Sequence, residues 1–210
     1  KILIAKANAG LVNNLPKSSA SILTKLNTPK DTLLYSKAME SAITLVKNSN
    51  DRVQIDPGRR YLHVNFGEDG KAFYNQLNRT NNIDSYDKDS YESLYQKTDY
   101  ESIIITYHGS NSSPYNSYKI PKDVLDIIDS ISLNNEVILN LFLNPYSLNS
   151  LNSLDNIESI VISYQNSVIS QEISADLISG YRTFSGKLPV STKFFPLNHG
   201  LPMDKKQLLS

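Results

Sequence analysis

Three runs set the terms for any fold of this chain: Ser102-Ile-Ile-Ile-Thr-Tyr107, Glu136-Val-Ile-Leu-Asn-Leu-Phe-Leu143 and Ser159-Ile-Val-Ile-Ser-Tyr164. Each is short, β-branched and apolar at successive positions. Successive side chains of a strand point to opposite faces, so such a run must be covered on both sides. The residues between them carry helical spacing. Pro121 opens a helix in which Val124, Leu125, Ile127, Ile128 and Ile131 form one stripe, and Val168 to Ser179 reads as a second helix closed by Gly180. Strands alternating with helices at this spacing imply parallel strands joined by crossovers. The predicted fold is α/β: a three-layer α/β/α sandwich on a mostly parallel sheet of about five or six strands.

The rest of the chain fits that frame. Lys1 to Leu11 reads as a short helix, 12–30 as a polar connecting arm, and 32–42 as a helix capped by Asp31. Ile43 to Val46 and Tyr61 to Phe66 read as strands, with helices over 71–78 and 91–98 and a short strand around Ile83. Residues 147–154 suggest a short helix. Ser185 to Val190 suggests an edge strand, because Pro189 cannot donate to a central ladder. The division expected is a helix and arm over 1–30, a sandwich over 31–195 and a tail or linker over 196–210. Because the first residue is Lys1 rather than Met, the chain is expected to be a fragment or a processed product.

Composition closes off several functions. The 21 Lys plus Arg balance 21 Asp plus Glu, so a nucleic-acid partner is not expected, since phosphate affinity draws on basic excess. With no cysteine, disulfides, thiolate catalysis and Cys-based metal sites are excluded. No apolar run is long enough to span a bilayer, and no signal segment is visible.

In open α/β sheets ligands sit at the carboxyl ends of the strands. Here those ends are Gly67 to Gly70, His108 to Ser113, Asn144 to Tyr146 and Tyr164 to Asn166. Gly67-Glu68-Asp69-Gly70 lacks the third glycine of a dinucleotide loop and puts two carboxylates where an anion would sit, so a tight turn with helix-capping acids is the simpler reading. His63, His108 and His199 show no metal-ligand spacing, and no metal or cofactor is expected. His108 supports two readings, a group that transfers protons or binds a sugar hydroxyl, and a hydrogen-bonded loop anchor. Ser110, Ser112 and Ser113 follow it, but among 28 serines proximity says little, and no G-x-S-x-G elbow is present. Glu68 and Asp69 are neighbours that point apart, a poor acid–base pair. The 13 tyrosines offer rings for sugar stacking or simply amphipathic surface.

Several stretches, in order, resemble the second domain of glycoside hydrolase family 3. They are Ser41-Ala-Ile-Thr-Leu-Val-Lys-Asn48, Leu141-Phe-Leu-Asn-Pro-Tyr146, Gln171-Glu-Ile-Ser-Ala-Asp-Leu-Ile-Ser-Gly180 and Ser185-Gly-Lys-Leu-Pro-Val-Ser191. The last is similar to that family's Gly-(Lys/Arg)-Leu-Pro-Val signature. Lys1 to Leu11 looks like the helix before the domain, and the His108-Gly-Ser-Asn loop looks like the bacterial β-N-acetylglucosaminidase branch.

The resemblance implies a parent with an N-terminal (β/α)8 barrel that carries the catalytic residues and would need roughly 250 residues of its own. It implies a carbohydrate substrate reached through that parent, a periplasmic or secreted location, and room for a serine-hydrolase-like domain after the tail. No catalytic residue is carried over to this chain. The substrate-binding candidates are His108, Ser110, Asn111, Glu68 and Asp69. Two rival functions are a flavodoxin-like module holding a small ligand at Gly67 to Gly70, and a self-sufficient hydrolase built on His108.

Overall fold

The structure is a computed structural model that describes residues 1–11, 28–86, 90–113 and 117–206. Most of the arm expected over 12–30, and the parts of the loops and tail at 87–89, 114–116 and 207–210, lie outside the described residues. The chain divides into two compact units, 1–35 and 36–210. In the first, α1 (Ile2–Asn8) is exposed along its length, and α2 (Pro29–Ala42) begins. Asp31 does not precede this helix as expected. It sits in the first turn, where its carboxylate accepts from the Thr28 N–H (3.0 Å) while the Thr28 hydroxyl accepts from the Asp31 N–H (3.3 Å).

The second unit holds a six-stranded sheet, ordered β1-β6-β5-β4-β2-β3. Its strands are β1 (Thr44–Asn48), β2 (Arg60–Gly67), β3 (Asn82–Tyr86), β4 (Ser102–His108), β5 (Val137–Phe142) and β6 (Ser159–Ile162). All neighbours pair in parallel except β1, which runs antiparallel to β6. The helices α3 (Lys71–Leu77), α4 (Lys122–Ser132) and α5 (Val168–Ile178) supply the outer layers. The α/β sandwich and the sheet size predicted from the apolar runs are both observed.

The two faces of the sheet differ in chemistry. One is hydrocarbon: Leu62, Val64, Ile103, Ile105, Val137, Leu139 and Leu141 pack in a single cluster with Leu125, Ile128 and Ile131 of α4. Fully burying each such side chain contributes roughly 1.5–3 kcal/mol. The other face meets α3 and α5, and there the alternate positions include His63, Thr106, His108, Asn140 and Ser163, all buried. Each is bonded. Asn140 donates to Ser174 of α5 (2.9 Å) and accepts from the Ser163 hydroxyl (2.7 Å). Phe73 of α3 meets Phe142 edge-on, with ring centroids 5.9 Å apart.

Two expected elements are replaced. Residues 91–98 form only a short 3-10 turn, Glu92–Leu94. Their carbonyls bond the Asn135 side chain instead of a following helical turn, from Leu94 at 2.8 Å and Gln96 at 2.9 Å, and Asn135 accepts from the Thr98 N–H. Tyr91 is meanwhile held against Phe66, centroids 5.0 Å apart. The short helix expected over 147–154 is a 3-10 turn at Pro145–Ser150, started by Asn144, whose side chain accepts from the Tyr146 N–H.

The edge strand expected over 185–190 is also absent. Leu188 exchanges backbone bonds with His199 (2.8 Å) and Asn198 (2.9 Å), not with the sheet. Beyond it, Leu201 donates to the Leu45 carbonyl (2.8 Å) and the His199 ring reaches the Val46 carbonyl (2.7 Å). This strap covers the open edge of β1, a surface that would otherwise invite pairing with another chain. A Cβ on Gly186 would run into the backbone carbonyls of Ala42 and Ile43, so the strap crosses there only because the residue has no side chain. We expect Gly186→Ala to lower unfolding free energy by about 1–3 kcal/mol. Hydrogen exchange should quicken at the Leu201 amide, and unchanged exchange there would separate the strap from this contact.

Candidate functional site

The carboxyl ends of β2, β4, β5 and β6 meet the turns that start α3 and α5. His108 closes β4 with its ring stacked on Phe142, centroids 4.2 Å apart and planes 13° from parallel. Its Nδ1–H donates to Asn166 Oδ1 (2.7 Å), which also accepts from Gln171 Nε2 (2.6 Å). Asn166 Nδ2 donates to Glu68 Oε2 at 3.3 Å. Gln171 also donates to the Asp69 carbonyl (2.9 Å) and accepts from the Phe73 N–H (3.0 Å). Four chain segments are thereby tied through two amides and one imidazole.

The remaining ring nitrogen, His108 Nε2, is buried with no hydrogen-bond partner. Gly70 lies against it, so that a Cβ there would stand 2.5 Å from Nε2. A second relay runs beside it. His63 Nε2 bonds Thr106 Oγ1 (2.9 Å), and Thr106 donates to Asn65 Oδ1 (3.2 Å). Burial drives both imidazoles toward the neutral form. The His63 pKa falls to about 3, first through desolvation and then through repulsion by His108. The His108 pKa falls to about 4 by desolvation, although the Asn166 bond and the Asp69 and Glu68 carboxylates pull the other way.

In a doubly wound sheet the ligand crevice opens where strand order reverses, here between β2 and β4. That crevice is shut. The Glu68 N–H donates to the His108 carbonyl (2.8 Å), and Gly67, at φ +82°, lies so close to this carbonyl that no Cβ would fit. Two of the amides that would cradle an anion are occupied as well, Lys71 N by Asp69 Oδ1 (2.9 Å) and Phe73 N by Gln171. The flavodoxin-like reading therefore lacks the Glu68, Lys71 and Phe73 amides for a phosphate cradle at this turn.

The open ground lies to either side of the turn at residues 165–166. One depression, of about 650 Å³, is lined by Ser110, Asn111, Tyr118, Asn144, Tyr164 and Gln165 among others. A second, of about 520 Å³, is lined by Glu68, Asp69, Asn166, Val168 and Gln171. The five sequence candidates are therefore separated. Ser110 and Asn111 face the first depression, Glu68 and Asp69 the second, and the His108 side chain lies buried beneath. Its ring bonds Asn166 rather than a serine, and Ser110 and Ser112 bond each other (2.9 Å), so no Ser–His pair is assembled among the described residues. Among the described residues, no cluster of three acidic or histidine side chains could hold a metal. Asn65, Thr106 and Gln171 were not singled out by sequence. Their one signal is polarity at positions where the pattern called for hydrocarbon.

No protein-family model matches the sequence, and no curated protein does. Solved structures do match. A glycoside hydrolase family 3 β-N-acetylglucosaminidase from Paenibacillus sp. is 15% identical with a TM-score of 0.63, over 95% of this chain and 39% of that one. A β-glucoside phosphorylase is 17% identical (TM-score 0.70; 90% and 37%). A β-glucosidase from Listeria innocua in complex with glucose is 13% identical (TM-score 0.64; 89% and 30%). At these identities the likeness is one of fold. The chain has the fold of a part of these larger enzymes and spans less than two fifths of each.

The buried imidazoles make stability depend on pH with a defined sign. Both bind a proton in the unfolded chain near pH 6.5 but stay neutral when folded. Stability is therefore fully present above about pH 6.5 and falls as pH drops toward the folded values, by at most about 1.4 kcal/mol per unit for each histidine. Urea unfolding between pH 7 and 5 should show this slope, roughly halved in His63→Gln. A flat profile in the parent chain would mean that the rings are charged in the fold.

Proposed function

We propose that this chain is the non-catalytic α/β/α sandwich domain of a family 3-like glycoside hydrolase, its parent being a bacterial β-N-acetylglucosaminidase. The observation that carries the reading is the structural match, nearly complete for this chain and partial for the larger enzymes, three of which act on β-glycosides by name. The site chemistry supports it. The imidazole at the strand ends is sealed under Gly70, and the nearby carboxylates are sequence neighbours rather than an opposed pair.

In this reading the parent hydrolyses terminal β-linked N-acetylglucosamine with retention, using residues of an N-terminal (β/α)8 barrel. The sandwich packs on the barrel and walls the cleft with Ser110, Asn111, Glu68 and Asp69, while His108 acts through Asn166. Residues 1–30 are the connection from the barrel, 31–195 the sandwich, and 196–210 the passage toward a serine-hydrolase-like domain. Among the described residues, no helix is long and apolar enough to cross a membrane. A periplasmic or secreted setting belongs to the proposal.

The test is turnover of a chromogenic N-acetylglucosaminide. The 210-residue chain should give none above buffer, and the parent bearing the barrel should cleave it. Robust cleavage by this chain alone would contradict the non-catalytic assignment. A parent gene without a barrel would contradict the family assignment.

A further inference from the structure

We propose that the depression at the ends of β4, β5 and β6 is a self-contained binding site for a neutral saccharide. The Tyr118 ring is its stacking surface, and the Asn111 and Asn144 amides are its hydrogen-bonding groups. For its choice of sugar this inference rests on the glycosidase reading above; for the site itself it rests on the geometry of this chain alone.

Charge narrows the ligand first. Among the described residues, no Lys, Arg, His, Asp or Glu lines the depression. An anion would find no guanidinium or ammonium to pair with, and a cation no carboxylate, so a charged ligand would lose hydration without compensation. A purely apolar ligand fits no better, because it would cover amides and hydroxyls without bonding them. A sugar offers what the lining matches, a hydroxyl rim around flat C–H faces.

The lining supplies both halves of that match. Tyr118 is 42% exposed and Tyr146 beside it 40%, with ring centroids 6.1 Å apart and planes inclined by 52°. The Tyr118 ring is thus left wet in the lining of the depression, with the Tyr146 ring beside it. The Tyr118 hydroxyl and the Asn111 amide bond no other described residue. Asn144 uses Oδ1 for the Tyr146 N–H and keeps Nδ2 for other partners. A volume of about 650 Å³ suits a mono- or disaccharide.

Backbone strain marks the same spot. Tyr164, at φ 59°, is held in the left-handed region, and the Gln165 N–H closes a tight turn onto the Ser163 carbonyl at 2.7 Å. A bulky residue is strained there, and such strain is retained where the surrounding structure fixes it. Here the Tyr164 hydroxyl, 2.9 Å from Thr44 Oγ1, anchors the turn from below. The turn delivers Gln165 to the depression and Asn166 to His108.

The test titrates this 210-residue chain, labelled with nitrogen-15, with N,N′-diacetylchitobiose and separately with cellobiose. We expect saturable shifts of the Asn111, Tyr118 and Asn144 amides with at least one disaccharide, at millimolar affinity unchanged by salt. Tyr118→Ala should weaken binding by about five-fold or more, the loss of one stacked ring. Leu133→Ala, on the exposed end of α4, should leave it unchanged. Absence of saturable shifts up to about 50 mM of both sugars, far above a millimolar constant, overturns the proposal. So do shifts confined to Glu68 and Asn166, or equal affinity in Tyr118→Ala. The two readings fail separately. A barrel-bearing, active parent with no sugar response here sinks only this site, and sugar binding by a chain whose parent lacks a barrel sinks only the glycosidase assignment.

Discussion

The fold depends on one half of its sheet being polar and dry at once. His63, Thr106, His108, Asn140 and Ser163 sit where a buried strand would ordinarily carry hydrocarbon. Leaving any of them unpaired would cost about 1–3 kcal/mol. His63 and Thr106 pair with each other and with Asn65 inside the sheet, while the other partners come from α5 and the turn before it: Ser174 for Asn140 and Ser163, and Asn166, itself held by Gln171, for His108. The opposite face asks only for volume, which α4 fills. Apolar packing thus supplies bulk stability on one side, while the bonded face specifies where α5 and the strand-end turns must lie.

That division explains where the surface is open. The clamp around His108 closes the crevice at the reversal of strand order, and Gly67 and Gly70 allow it because neither carries a Cβ. Of the two depressions that stay accessible, the larger is displaced toward β5 and β6, where Asn144 and the strained Tyr164 turn shape a hollow with no charged side chain among its described lining. A buried, neutral His108 with its Nε2 under a glycine is a strut. It holds Asn166, which in turn bonds Glu68, and its Nε2 is buried without a hydrogen-bond partner.

The layers were legible in the sequence because Ile103 to Ile105, Val137 to Leu141 and Ile160 to Ile162 leave no solvent face, and the α4 stripe keeps its period. The polar half was visible only as interruptions, such as Thr106 and Asn140, whose partners lie tens of residues away. No local pattern marks such pairings. Residues 91–98 failed as a helix for the same reason, since Asn135, far along the chain, takes their backbone bonds. The 185–190 segment carries strand-like residues, yet Gly186 is committed to a close crossing that its own neighbours do not reveal. Of the site candidates, Ser110 and Asn111 followed from the rule that ligands gather at strand ends, whereas the separation of Glu68 and Asp69 from them required the fold.

The state of the His108 ring is the most direct check, because the clamp, the closed crevice and the bond from His108 to Asn166 all depend on it. Nitrogen-15 spectra of the imidazole at pH 5.5 should show a neutral ring with its proton on Nδ1, bonded to Asn166. A doubly protonated ring at that pH, or a proton on Nε2, would contradict the account.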